Sequence, residues 1–132
     1  MTERRLRESL VMPHHGGTNS DKIVFGIEHE VEALPNEEFM NSYHGFIEDN
    51  HTDDDYNGFI HYLNETCPVG WNPKMDHSLR GEWRVEFATT QPQDYAKTVQ
   101  RLVNLWEHFP GLILTPSPRT SFQVHVNVLG LT

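Results

Sequence analysis

Polar and apolar residues alternate with a period of two over the first firm stretch of the chain, Lys22 to Ala33. Ile23, Phe25, Ile27, His29 and Val31 fall on one side, and Val24, Gly26, Glu28, Glu30 and Glu32 on the other. This pattern predicts a strand with one apolar and one carboxylate-bearing face. Glu82 to Thr90 repeats it, with Trp83, Val85 and Phe87 opposite Arg84, Glu86 and Ala88. Ser121 to Leu129 repeats it again, with Val124, Val126 and Val128 opposite Gln123, His125 and Asn127.

Between the strands the period lengthens to that of a helix. Phe39, Tyr43, Phe46 and Ile47 follow a capping Asn36, with Glu37 and Glu38 in the first turn and Gly45 as a weak point. A second helix is expected from Asp53 to about Thr66, carrying Tyr56, Phe59, Ile60 and Leu63. Asp53–Asp55 form its acidic first turn, and Gly58 counts against it. The clearest helix is expected from Pro92 to Phe109: Pro92 sits near its first turn, Asp94 complements the dipole, Tyr95, Val99, Leu102, Val103, Trp106 and Phe109 make one stripe, and Pro110-Gly111 stops it. That stripe, Trp106 included, is expected to pack on the apolar face of the sheet. Pro68 to Pro73 reads as a turn-rich link, Leu112 to Thr115 as a short strand and Pro116-Ser117-Pro118 as a turn. Residues 1–21 read as a flexible arm, and 22–132 as one α+β domain with an antiparallel or mixed sheet and helices on one face.

Composition narrows the function. Nineteen acidic against ten basic residues give a net charge of −9, which argues against a nucleic-acid binder. One cysteine, Cys67, excludes an internal disulfide framework and suits a reducing compartment. No apolar run reaches the 18 residues of a membrane span, and the basic start, Met1 to Arg7, lacks the apolar stretch of a secretory signal. A cytoplasmic protein without a membrane partner is expected.

Three carboxylates in a row on one strand face have two readings. A solvent-facing strand carries glutamates often enough, yet like charges at that spacing repel unless a cation sits among them. The row Gln123, His125, Asn127 looks like a cavity wall, with a hydrogen-bonded structural His125 as the alternative. No Gly-rich phosphate loop is present, since Gly16-Gly17 lacks the spacing and the lysine.

Three blocks resemble a known family. Phe25-Gly26-Ile27-Glu28-His29-Glu30-Val31-Glu32 is similar to the opening strand of amidoligases. Lys74 to Glu82, running into Val85-Glu86-Phe87-Ala88-Thr89, and Arg119 to Val128 follow in the same order. Together they resemble the type 2 carboxylate–amine ligases of tailed phages, within the glutamine-synthetase and glutamate–cysteine ligase superfamily, and cover about residues 22–130.

The resemblance implies an ATP- and magnesium-dependent ligase that activates a small-molecule or peptide carboxylate by phosphorylation and joins it to an amine, in the host cytoplasm if phage-encoded. It assigns Glu28, Glu30 and Glu86 to metal. Asp76, Ser78, Arg80 and Arg84 fall to the substrate and catalytic side, and Gln123, His125 and Asn127 to the nucleotide. Two positions depart from the family pattern. His77 stands where the family has glycine in an Asp-Gly-Ser loop, and Gln123 replaces the first histidine of a His-x-His strand. The family's chain continues beyond the third block. The resemblance therefore also implies a site that is incomplete alone, and self-association or a completing partner at the last strand, around Phe122 to Leu129. The alternative is a non-catalytic binding or structural protein that keeps the ligase half-fold.

Overall fold

A computed structural model of the chain describes residues 23–113 and 121–128. The alternating segment Ile23–Ala33 forms strand β1. Helices α1 (Glu37–Asp49) and α2 (Tyr56–Thr66) follow, then strands β2 (Trp71–Lys74) and β3 (Trp83–Thr89). Helix α3 (Tyr95–His108), a helical turn α4 (Pro110–Ile113) and strand β4 (Phe122–Val128) complete the order. The four strands make an antiparallel sheet in the order β2-β3-β1-β4, so the α+β class read from the periodicities holds. The arm at 1–21 and the turn at Pro116–Pro118 lie outside the described residues.

Because residues facing each other across an antiparallel ladder share a face, the register sorts every side chain. His29 pairs with both Phe87 and Phe122, Val31 with Val85, Ile27 with Val124, and Pro73 with Phe87. All lie on the covered face. There Phe25, Ile27, Val31, Val85 and Phe87 join Phe39, Tyr43, Phe59, Leu63, Leu102, Leu105, Phe109 and Leu112 in one core. Edge-to-face rings bind its centre: Phe59 meets Tyr43, Phe39 and Trp83 at centroid distances of 6.1, 6.3 and 5.2 Å.

The helix starts follow from their caps. The side chains of Asn36, Asp55 and Asp94 accept the backbone N–H groups of Phe39, Gly58 and Lys97. The second helix therefore begins at Tyr56, and the aspartates lie before it. Asp55 is the cap, and Asp54 accepts the Tyr43 hydroxyl at 2.7 Å. Gly58 is a requirement of this helix, because a Cβ there would stand 1.9 Å from the carbonyl oxygen of Asp53. The incoming chain passes too close for any side chain.

Three expectations are corrected. The link at Pro68–Pro73 contains β2: Trp71 and Pro73 are buried while Asn72 and Lys74 are exposed. Pro73 is tolerated because β2 is an edge strand. Trp71 is held by donating Nε1–H to the Arg101 carbonyl at 3.0 Å. Leu112 and Ile113 belong to a helical turn rather than a strand. Pro110 opens it at a position that needs no N–H, and Asn36 N–H donates to the Gly111 carbonyl at 2.9 Å. The buried line of α3 runs through Thr98, Leu102 and Leu105, a rotation of the stripe read from the sequence. Val99 and Trp106 are only partly buried, and Tyr95 is 43% exposed. Thr98 takes a buried place because its hydroxyl returns to the helix, donating to the Asp94 carbonyl at 2.7 Å.

Candidate functional site

The face of the sheet opposite the helices carries Glu28 and Glu30 of β1, Lys74 of β2 and Glu86 of β3, with Gln123 and His125 of β4 beside them. Glu30 stands directly opposite Glu86, and Glu86 opposite Lys74. The loop between β2 and β3 brings Asp76 to the same place. One carboxylate oxygen from each of Glu30, Asp76 and Glu86 lies within 4.8 Å of the others, and all three side chains are half-buried. Burial and the neighbouring charges of Glu28, Asp76 and Glu30 raise the Glu86 pKa, with Lys74 opposing them.

The loop is tied down on two sides. Asp76 N–H donates to the Tyr56 hydroxyl at 2.7 Å, and the Arg80 N–H donates to a Glu32 carboxylate oxygen at 3.0 Å. Within the loop, the Asp76 carboxylate accepts both the N–H and the hydroxyl of Ser78. Arg84 lies over the Tyr56 ring, 3.9 Å from its centroid, and donates to the Gly81 carbonyl at 2.8 Å.

The site residues named from the sequence thus separate. Glu30, Glu86, Asp76 and Ser78 come together. Glu28 shares their face one pleat further along β1. There its carboxylate lies 3.3 Å from His125 Nε2, and Gln123 stands opposite it. Arg84 is engaged with Tyr56 and the loop backbone, and the Arg80 side chain is exposed. Asn127 pairs with Val24, six residues from Glu30 and so about 20 Å away along the strand; it is not part of this cluster. Glu32 leaves the carboxylate row, since it is 8% exposed and bound to the loop.

Lys74 and Tyr56 were not legible as site residues. Lys74 needed β2 to be recognised, and a signal existed in the alternation Trp71-Asn72-Pro73-Lys74. Tyr56 belongs to the helical stripe of α2, and no local pattern shows that its hydroxyl reaches a loop twenty residues on.

The only histidine of β1, His29, points to the covered face. Its ring meets Phe122 and Trp106 edge-to-face at 5.1 and 6.2 Å. Nδ1 is buried without a partner, and burial lowers the pKa to about 4. It is partly buried and packs against these rings, away from the carboxylates.

No protein-family model matches this sequence, and comparisons with curated proteins and with solved structures give no match either. Among the described residues no helix is long and apolar enough to cross a membrane.

Proposed function

We propose that this chain is the metal- and nucleotide-holding part of a carboxylate–amine ligase, with Glu30, Glu86 and Asp76 as the carboxylates that hold magnesium. The observation that carries the reading is the approach of one carboxylate oxygen from each of those three side chains to within 4.8 Å of the others, on the face of the sheet opposite the helices. Oxygen-only donors suit a hard divalent cation that keeps water or phosphate oxygens in its remaining positions. The raised pKa of Glu86, caused first by burial and then by the carboxylates of Glu28, Asp76 and Glu30, points the same way, because a cation would relieve that crowding. Bound magnesium would offset charge on a phosphoryl group in transfer.

The chain's own residues supply the rest. Ser78 orients the Asp76 carboxylate, Glu32 and Tyr56 hold its loop, and Lys74 offers an ammonium beside Glu86 for an anionic ligand. Arg80, on the same loop, presents its side chain to solvent where a carboxylate substrate could meet it.

The decisive experiment is calorimetric titration with ATP, with and without magnesium, followed by a phosphate-release assay with carboxylate and amine pairs. Magnesium-dependent ATP binding that disappears in Glu30→Gln is expected. Absence of ATP binding in the presence of magnesium would overturn the ligase reading. A second reading, a non-catalytic binding protein on the same half-fold, draws on Glu28, whose carboxylate faces His125 instead of the cluster. Magnesium binding without ATP binding would favour it.

A further inference from the structure

Strand β4 lies at the edge of the sheet, and among the described residues only its β1 side is paired. The ladder itself says which groups are left over. Glu30 N–H donates to the Ser121 carbonyl at 3.0 Å. In an antiparallel pair, hydrogen-bonded positions alternate with positions whose N–H and C=O point away. Gln123, His125 and Asn127 therefore bond inward to β1. Phe122, Val124, Val126 and Val128 direct their backbone groups outward.

Among the described residues this edge lacks the usual protection. Lys, Pro and inward charges normally guard edge strands, and Phe122–Val128 contains none of them and no acidic residue. Val126 and Val128 are 44% and 36% exposed, among the few large apolar side chains left to solvent.

The sequence of the strand identifies what fits it. Phe122-Gln123-Val124-His125-Val126-Asn127-Val128 is a near-palindrome about His125. When two copies run antiparallel about a two-fold axis at His125, Val124 meets Val126 of the other copy. Phe122 meets Val128, Gln123 meets Asn127, and the two histidines face each other. Apolar positions meet apolar ones and amides meet amides, which favours cross-strand pairs, and no like carboxylates or ammoniums oppose. The outward set makes the same choice. Val124 with Val126, and Phe122 with Val128, become hydrogen-bonded pairs, and His125 with His125 a non-hydrogen-bonded pair.

We infer that β4 is a homodimer interface, in which two copies pair antiparallel about His125 and join their sheets into one of eight strands. Such a two-fold keeps faces together, so both carboxylate clusters lie on one side of the joined sheet and both helical layers on the other. This inference does not depend on the ligase reading.

Two kinds of experiment test it on the full chain. In sedimentation at physiological salt, a concentration-dependent dimer is expected. Val126→Pro removes an outward N–H while leaving the inward ladder to β1 intact. By symmetry it deletes two intermolecular hydrogen bonds, so it should weaken the dimer about ten- to hundredfold. Val126→Lys should do so by charge, and circular dichroism verifies that both variants fold.

The register is read by crosslinking in a Cys67→Ser background. His125→Cys places two Cα atoms about 4.5 Å apart across the axis, within disulfide reach. It should oxidise to a covalent dimer. Asn127→Cys places them four residues out of register, about 13 Å apart, and should not. A monomer at every concentration, with this edge left to another segment or another protein, overturns the inference. So does a dimer insensitive to both Val126 variants, or equal crosslinking at positions 125 and 127.

Discussion

Glu28, His29 and Glu30 are consecutive, yet they live in two chemistries. His29 enters the helix-covered face, where aromatic rings surround it and burial brings its pKa down to about 4. Glu28 and Glu30 enter the face opposite the helices, where carboxylates gather and the pKa of their neighbour Glu86 moves up. Both shifts oppose charge, and burial is the largest cause of each. On the open side the like charges of Glu28, Asp76 and Glu30 add to it, a contribution that a bound cation can relieve. The difference teaches that one side of this sheet is built for stability and the other carries an electrostatic cost a ligand could offset.

The largest test of that contrast lies in the covered layer. Phe59→Ala should lower the unfolding free energy by about 3–5 kcal/mol in urea titrations, the cost of deleting a large core ring. A loss below about 1 kcal/mol would mean the helical layer does not hold the fold as described. Gly58→Ala should come next, at about 1–3 kcal/mol, since the added methyl must displace the Asp53 backbone. An unchanged melting temperature would show that the loop before α2 yields freely.

On the open face the expected effects are smaller and depend on ions. Magnesium at ten times its Kd should stabilise the chain by about 1.4 kcal/mol, and Glu86→Gln should largely remove that gain. Without divalent cation the sign reverses. A carboxyl whose folded pKa is raised contributes stability that is present below the ordinary carboxylate pKa and lost as pH rises through the raised value. Glu86→Gln should therefore be the more stable protein at neutral pH in chelator, measured by thermal melts. A variant less stable than the parent there would sink the account of like-charge crowding.

The last effect is a pH slope. His29 has a lowered folded pKa, so the unfolded chain takes up its proton first. Stability is lost as pH falls from about 6.5 towards about 4. His29→Phe should flatten that part of the melting profile and leave the neutral value little changed. An identical acid slope in both proteins would place His29 in water.

The division between faces was legible in the amino-acid sequence because a strand's period of two is a local property. Glu28, Glu30 and Glu86 could be assigned to one side without coordinates, and so could the alternation of β4. The cap at Asn36 was legible for the same reason, as it acts within three residues. Tertiary structure decided the rest, because it turns on separations the chain does not encode locally. Which way α3 rolls depends on what the sheet presents to it, so Thr98 and Leu105 went in while Tyr95 stayed partly out. That Asp76 rather than Glu28 stands with Glu30 and Glu86 depends on a loop held by Tyr56 and Glu32, one from a preceding helix and one from the central strand. A four-residue strand with a proline in it shows only a short alternation in the sequence, and β3 beside it decides that it is a strand, since an edge ladder is a property of the pair.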